Sequence, residues 1–297
     1  MQVYLDLVRK VLDEGVIKPS RTGVDTLSLF SAHYQVDLAA GFPLLTTKKV
    51  NFSAVLRELL WYLSGENHIR NLRKHTKIWD AWADENGNLE TAYGHYWRHF
   101  PSATKDEHGE WQVREIDQIR YVIDTLKTDP NSRRLIVTAW EPGNATGSRL
   151  PPCHYTYAFH VADGKLNCHL SQRSGDIALG IPFNLAAYAT LTQMIAQECG
   201  FGLGRFAHTI VDAHIYMASP ESATADYDHV EGLRQQLERK PLPLPQLVIA
   251  KKPFDELRFE DFELVGYECL FFFKQKTAYE IGTCDWSSDV CSSDLAG

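Results

Sequence analysis

The sequence lacks a run of about eighteen apolar residues, the length that a membrane-spanning helix needs. Its first residues also lack the basic and apolar regions of a signal peptide, so we expect a cytoplasmic protein. Basic residues are not in excess either, since the net charge is -8. The summed field therefore favours neither DNA nor a membrane surface as a partner, although a local basic pocket is compatible with it.

Cysteine pairs at metal-binding spacing are absent as well. The chain contains six cysteines, and none of them forms a C-x-x-C pair. In a reducing compartment we expect free thiols, with a chemical role for one or two of them at most. The sequence therefore predicts no metal site.

The last tenth of the chain differs from the rest. From Cys269 onward it shows neither helical nor strand periodicity, and three of the six cysteines lie there. One explanation is a poorly ordered tail. We favour another, that residues 268–297 are translated non-native sequence, such as read-through of a sequencing adapter joined to a truncated gene. They are therefore left out of the fold prediction.

Residues 1–267 predict a single α+β domain. The apolar fraction of 44% is sufficient for a core, and helices and strands are mixed without a strict βαβ alternation. Gly15, Gly65 and Gly200 are expected to end three helices. The predicted elements are helices over 3–14, over 51–64 and up to Cys199, and strands over Arg134–Trp140 (buried), Arg205–Tyr216 and Gln246–Ala250. Phe100–Glu115 is predicted as a surface loop, and Gly175–Asn184 as a loop that leads into the third helix.

The clearest local signal is a β-hairpin. Two strand-like segments, 155–161 and 165–171, flank Asp163-Gly164, and Asp-Gly between strands is typical of a two-residue turn. That turn sets a register in which Cys153 faces Ser174 and His154 faces Arg173. A thiol and a guanidinium are therefore predicted at the same end of the hairpin.

Cys153 is the candidate nucleophile. A free thiol titrates near 8.5, so a neighbouring cation such as Arg173 raises the fraction of thiolate at neutral pH. The alternative is a small buried hydrophobic residue, the commoner role of a free cysteine. Cys168 and Cys199 lie within regular elements and fit that alternative better.

Arginines and aromatic residues supply two further groups. Guanidinium forks suit phosphate, and the candidates are Arg21, Arg133, Arg134 and Arg173, each with a surface ion pair as the alternative. The aromatic faces of Trp79, Trp82, Tyr93 and Trp97 are able to stack a flat heterocycle, with a core cluster as the alternative.

Glu58 lies beside the apolar stripe of the second predicted helix, one turn from Val55 and Tyr62. We expect its carboxylate to be partly desolvated.

Together these segments resemble the thymidylate synthase family from Tyr4 to Tyr267. Any one motif is weak, but their joint order and spacing are specific. The motifs are Arg21-Thr22-Gly23, Gly41-Phe42-Pro43-Leu44-Leu45-Thr46-Thr47-Lys48, Glu58-Leu59-Leu60-Trp61, Ile78-Trp79-Asp80-Ala81-Trp82, Ser132-Arg133-Arg134, Pro152-Cys153-His154, Gln172-Arg173-Ser174, Gly180-Ile181-Pro182-Phe183-Asn184 and Asp212-Ala213-His214-Ile215-Tyr216.

The resemblance implies a mixed, twisted β-sheet covered by helices, a cytoplasmic homodimer, and reductive methylation of deoxyuridylate (dUMP) to thymidylate. Methylenetetrahydrofolate is then the co-substrate, both carbon donor and reductant, and leaves as dihydrofolate. Cys153 would attack C6 of the uracil ring, and Arg173 would keep its thiolate ionised. Glu58 would organise proton transfer, assisted by His154 and Tyr93.

The resemblance also implies binding residues. For dUMP they are Arg21, Gln172, Arg173, Ser174, Asn184, His214 and Tyr216, with Arg133 and Arg134 entering the phosphate site from the partner subunit. For folate they are Trp79, Trp82, Asp176, Gly180 and Phe183, of which Asp176 is also a candidate catalytic residue.

Asn184 sets the expected base. An amide offers a donor and an acceptor together, which match O4 and N3-H of uracil. The related deoxycytidylate hydroxymethylases have an acid at the matching position, which suits the exocyclic amine of cytosine. Asn184 therefore favours uracil over that alternative activity.

The sequence departs from the family after Gly266-Tyr267. The family ends there in a short, proline-containing segment that closes over folate, whereas this chain continues Glu268-Cys269-Leu270. Closing segments exclude water and complete a site. A second hypothesis is therefore a nucleotide-binding dimer that is impaired in turnover.

Overall fold

The computed structural model describes residues 1–19, 24–89, 92–145, 148, 150–217 and 228–270. Its central feature is a six-stranded sheet in the order β1-β2-β8-β7-β6-β5, in which only the β7–β8 pairing is parallel. The six strands are β1 (Val16–Lys18), β2 (Asp25–Asp37), β5 (Ile136–Thr138), β6 (Thr156–Ala162), β7 (Lys165–Asp176) and β8 (Gly202–Met217). The predicted mixed sheet and α+β class are confirmed.

Two smaller antiparallel pairs flank this sheet. They are formed by β3 (Phe100–Lys105) with β4 (Trp111–Ile116), and by β9 (Gln246–Ile249) with β10 (Phe262–Val265). The prediction of a surface loop over Phe100–Glu115 was therefore wrong in form, since that stretch is a hairpin. Apolar residues alternate with polar ones only over Trp111–Arg114, which is too short a stretch to indicate a strand, and nearly all side chains of the hairpin are exposed.

The helices of the described residues pack mainly on one face of the sheet. Their bounds are α1 (Gln2–Glu14), α2 (Phe52–Leu63), α3 (Tyr93–Arg98), α4 (Gln118–Thr128), α5 (Pro142–Ala145), α6 (Gly180–Cys199) and α7 (Val230–Leu237). Helix α6 is buried along most of its length and contacts β7, β8, α2 and α4, so it forms the centre of the core.

The predicted helices over 3–14 and 51–64 are confirmed within one residue at each end. Gly65 and Gly200 end α2 and α6 with positive φ angles of 74° and 76°. Gly15 ends α1 differently, because its backbone is extended. A Cβ atom at Gly15 would lie 2.4 Å from the carbonyl oxygen of Val11, so close approach requires glycine there.

The segment that was predicted as a loop before α6 is shorter in the structure. Strand β7 extends to Asp176 because β8 pairs with it in parallel as far as His214. Helix α6 already begins at Gly180. Pro182 is tolerated there because a residue in the first turn of a helix donates no backbone hydrogen bond within it.

The hairpin of β6 and β7 has the predicted register, with Ala162 opposite Lys165 and Thr156 opposite Ser171. Both turn residues, Asp163 and Gly164, have positive φ, as a two-residue hairpin turn of this kind requires. The strand predicted over Arg134–Trp140 is shorter, Ile136–Thr138. It lies at the sheet edge, so Ile136 is 51% exposed and only the strand's middle residue is fully buried.

Candidate active site

Cys153 lies just before β6 and is held by its backbone. Its N–H donates to the hydroxyl oxygen of Tyr93 at 2.7 Å, and its carbonyl accepts from the backbone N–H of Arg173 at 2.9 Å. This second bond is shifted by one residue from the predicted pairing of His154 with Arg173, because the regular ladder ends at Thr156. The predicted meeting of cysteine and arginine at one end of the hairpin is confirmed.

The guanidinium of Arg173 is anchored beside this cysteine. Its Nε donates to the carbonyl of Pro152 at 3.1 Å, and its Nη2 donates to that of Pro151 at 2.7 Å. Both Cys153 and Arg173 act electrostatically on the Tyr93 hydroxyl, so the three groups share one environment. No described residue binds the remaining N–H groups of the guanidinium, and such groups suit an anion.

His154 is buried between two tyrosines. Its ring stacks on that of Tyr93 with a centroid distance of 3.8 Å, and its Nδ1 lies 2.8 Å from the hydroxyl of Tyr188. Burial lowers the pKa of His154 to about 3. The imidazole is therefore neutral at physiological pH, and it acts as a hydrogen-bonding group and not as a cation.

Glu58 is half-buried on α2. Its Oε1 accepts from the indole Nε1 of Trp79 at 2.8 Å, and Tyr62 is a second hydrogen-bond partner. Burial raises the pKa of Glu58 to about 7, although both hydrogen bonds act in the opposite direction. The predicted desolvated carboxylate is confirmed, and it exchanges protons near neutral pH.

Glu58, His154 and Asn184 line one cavity, with Leu59, Tyr62, Trp97, Ala187 and Tyr188. No described residue forms a hydrogen bond with the side-chain amide of Asn184. Its donor and acceptor are thus both available to a group that enters between Glu58 and His154.

His214 and Tyr216 lie at the end of β8 with ring centroids 5.2 Å apart. Burial alone would lower the pKa of His214, but hydrogen bonding and charge from Asp212, together with the charge of Asp176, raise it overall. The bond with His214 is the main reason why the pKa of Asp212 is depressed. The parallel pairing of β7 with β8 places His214 opposite Asp176 and Ser174 opposite Asp212. This end of β8 therefore lies next to the segment of β7 that carries Arg173.

Asp176 ends β7 in a buried position. Its two carboxylate oxygens accept from the backbone N–H groups of Ala178 and Leu179, at 2.9 and 3.0 Å. Gly180 follows at the start of α6, where an added Cβ would meet only Asp176, at 3.9 Å. Gly180 is half-buried, so part of its backbone is accessible.

The two predicted folate tryptophans are largely part of the core. Trp79 is 7% exposed and Trp82 is 3% exposed. The ring of Trp79 packs against Trp61, Tyr62 and Tyr93, with centroids 5.8 to 6.3 Å apart. Phe183 is half-buried and packs against the core.

The sequence matches the thymidylate synthase family model over residues 2–279. A thymidylate synthase from Haloferax volcanii is 49% identical over 316 aligned positions, which cover 89% of this chain and 92% of that protein. The chain belongs to the thymidylate synthase family.

In this thymidylate synthase family member, the predicted phosphate arginines are only partly assembled. Arg173 lies in the site, whereas Arg133 and Arg134 are exposed before β5. Neither of these two side chains has an acidic partner among the described residues. Arg21 lies outside the described part of the chain.

Several residues of the site were missed by sequence reasoning. Tyr62 and Tyr188 lie on the apolar faces of α2 and α6, so nothing in the pattern distinguishes them from core residues. Asp212 carried a usable signal, because it lies two residues from His214 in a strand and side chains at that spacing share a face.

None of the helices in the described ranges has both the length and the apolar character that a membrane crossing needs. The same ranges contain no group of three or more His, Cys, Asp or Glu side chains that could hold a metal ion. The family match continues past Tyr267 to residue 279, and the boundary of the family segment at Tyr267 stays a prediction. Residues 271–297 lie outside the described part.

Proposed function

We propose that this chain catalyses reductive methylation of dUMP to thymidylate. Membership of the thymidylate synthase family carries the reaction type. The observation that carries the site assignment is the convergence of Cys153, Arg173, Tyr93 and His154 at one end of the hairpin, next to a cavity lined by Glu58 and Asn184.

In this proposal Cys153 attacks C6 of the uracil ring, and electron density moves to C5 and O4. Arg173 stabilises the thiolate and binds the phosphate, together with Ser174. Asn184 pairs with O4 and N3-H of the base, which fits an amide beside the cavity that no described residue hydrogen-bonds. His214 and Tyr216 bind the sugar.

Glu58 manages the protons of the reaction. A pKa of about 7 means that both its protonated and ionised forms are populated at physiological pH. Such a group is able to donate a proton toward O4 and to accept one from C5 through an intervening water. Neutral His154 and the Tyr93 hydroxyl complete a hydrogen-bonded wall that excludes bulk solvent.

Methylenetetrahydrofolate, the family's co-substrate, supplies the one-carbon unit and the hydride. The residues that would hold it are Asp176, Gly180, Phe183 and Trp79. An added Cβ at Gly180 would make only one ordinary contact, with Asp176, so the backbone there is not crowded by other side chains. Trp82 is almost wholly buried, so its contribution is to support Trp79 and not to contact the ring directly.

We further propose a homodimer in which Arg133 and Arg134 enter the partner's phosphate site. One row of side chains crosses the exposed sheet face from Ile136 through His169 to Gln35. Ile136 and Val211, on that face, are 51% and 43% exposed. Exposed aliphatic side chains, together with two arginines that have no acidic partner in the described ranges, support a self-association surface.

The direct test is formation of dihydrofolate, followed by near-ultraviolet absorbance, from the full chain with dUMP and methylenetetrahydrofolate. We expect an increase that is absent in Cys153→Ala. Tight dUMP binding without an increase would place the defect in the C-terminal segment. Absence of both binding and turnover would contradict the proposed function.

A further inference from the structure

Three neighbouring strands each place one polar side chain on the same buried face of the sheet. They are Tyr34 on β2, His208 on β8 and Gln172 on β7, here called the buried polar row. Each is at least 95% buried. Tyr34 and His208 are direct cross-strand partners, and the face around them is otherwise lined mainly by apolar residues such as Leu170 and Ile210.

The hydrogen bonds of the buried polar row run in one direction. Nε2 of His208 lies 2.9 Å from Oε1 of Gln172, an atom that only accepts, so Nε2 carries the proton. Nδ1 of His208 then accepts from the hydroxyl of Tyr34, at 2.9 Å. Burial lowers the pKa of His208 well below its usual value, which keeps the ring neutral and in this single tautomer.

The row ends on the backbone of the candidate active site. The side-chain Nε2 of Gln172 donates to the carbonyl oxygen of Ser174 at 2.8 Å. Both polar ends of the Gln172 amide are therefore used within the protein, which leaves little for direct contact with a nucleotide.

The bond from Gln172 to the Ser174 carbonyl lies in a part of β7 that has few backbone bonds to β6. Regular pairing of β7 with β6 ends at Ser171, and beyond it the backbone N–H of Arg173 donates to the carbonyl of Cys153. The corner is also tightly packed, since a Cβ at Gly175 would lie 2.7 Å from Cδ1 of Ile181. Fixing the Ser174 carbonyl therefore fixes the backbone from which Arg173 and Ser174 project.

We propose that His208 is a positioning residue for the phosphate end of the nucleotide site: through Gln172 it fixes the Ser174 carbonyl and thereby the directions of the Arg173 and Ser174 side chains. The inference rests on the proposed dUMP site. It assigns Gln172 to the same positioning row and not to direct substrate contact.

A role confined to satisfying core polar groups predicts a different result. Loss of core stability alone weakens the binding of all ligands to a similar degree. Loss of positioning at Arg173 and Ser174 weakens the binding of ligands that carry the phosphate and leaves the binding of those without it unchanged. The dissociation constant of deoxyuridine divided by that of dUMP therefore distinguishes the two roles.

The experiment measures both constants by calorimetry for the full chain and its variants. In His208→Leu we expect the ratio to fall by about tenfold, the size of one charge-assisted hydrogen bond. In His208→Gln, whose amide reaches the position of Nε2 and still donates to Gln172, the ratio should stay within about threefold of the parent. Tyr34→Phe should give a smaller fall in the same direction.

Leu170→Ala is the matched control, because Leu170 is the cross-strand partner of His208 on β7 and is fully buried. We expect it to lower the melting temperature and leave the ratio unchanged. An equal fall in Leu170→Ala, or an unchanged ratio in His208→Leu, would overturn the positioning role.

Two further outcomes are also decisive. Should His208→Leu fail to fold, His208→Asn replaces it, because its shorter amide keeps the Tyr34 side of the row and loses Gln172. The ratio should then fall in His208→Asn and hold in His208→Gln, and the reverse order would refute the inference. A parent chain that binds dUMP no better than deoxyuridine would refute the proposed function itself.

Discussion

The indole of Trp79 donates a hydrogen bond to the carboxylate of Glu58 at 2.8 Å. This bond favours the ionised carboxylate, whereas burial favours the protonated form and outweighs it, which places the pKa of Glu58 at about 7. The largely buried Trp79 thus lowers the pKa of the proposed proton-transfer group, Glu58, through its indole N–H.

Replacing Trp79 with phenylalanine removes that bond and keeps an aromatic ring. The pKa of Glu58 should then rise above about 7, because the ionised form loses a partner. We expect the acidic limb of the kcat profile to move to higher pH, measured between pH 5 and pH 9. Trp61→Phe is the control, since the Trp61 indole donates to the carbonyl of His68 instead. An equal displacement in both variants would argue against tuning by Trp79.

The Glu58 pKa also predicts how stability depends on pH. Its folded-state value is raised above the ordinary value of 4.5, so the stability it contributes is fully present below about pH 4 and is lost as pH rises through about 7. Glu58→Gln should therefore gain on the order of 2–3 kcal/mol in free energy of unfolding, relative to the parent, between pH 4 and pH 8. Urea unfolding at both pH values measures this gain, and Glu85→Gln, at an exposed site, should show almost none.

The hairpin shows what local sequence is able to predict. Asp163-Gly164 determines the turn, and the turn determines the register, so the meeting of Cys153 and Arg173 followed from the local pattern. The same reasoning was off by one residue at Cys153 itself. There the ladder ends, and the hydroxyl of Tyr93, which is distant in sequence, binds the backbone N–H.

The buried polar contacts could not be predicted in this way. Gln172 and His208 are adjacent only because β7 and β8 pair in parallel. Helix α6 connects these two strands in the chain, and no short-range sequence pattern encodes their pairing. Tyr188 shows the same limit, since a tyrosine on an apolar helix face reads as a core residue until its partner, His154, is known.

The cysteines should differ sharply in reactivity. Burial raises the pKa of Cys168 to about 12 and that of Cys199 to about 11, so both remain thiols at neutral pH. We expect iodoacetamide at pH 7 to label Cys153 before Cys168 and Cys199, and dUMP to slow the labelling of Cys153. Peptide mapping by mass spectrometry measures the three rates. Labelling of Cys199 at the rate of Cys153, or no protection by dUMP, would contradict the assignment of the nucleophile.

Asn184→Asp should change the base preference. A carboxylate accepts from the exocyclic amine of cytosine but repels O4 of uracil, so the ratio of kcat/KM for deoxycytidylate to that for dUMP should rise by about 10- to 100-fold. Steady-state assays with both nucleotides measure this ratio. Asn131→Asp makes the same chemical change at an exposed position and should leave the ratio unaltered. A proportional loss with both bases would mean that Asn184 does not read the base.

The proposed homodimer predicts complementation between two inactive variants. Arg134→Ala weakens the partner's phosphate site, whereas Cys153→Ala inactivates the site in its own subunit. In a mixed dimer, the subunit with intact Cys153 receives Arg134 from its partner, so one of its two sites is complete. Random mixing should therefore restore about a quarter of the parental activity.

The assay compares turnover before and after the two variants are unfolded and refolded together. Arg114→Ala, at an exposed position on β4, provides the control, since mixing it with Cys153→Ala should give no more than the activity of its own intact sites. Arg134→Ala and Cys153→Ala, each refolded alone, should stay inactive or weak. Absence of recovery in the Arg134→Ala and Cys153→Ala mixture, with dimers present by light scattering, would place Arg134 outside the partner's site. Recovery would show that each active site contains an arginine from the other subunit.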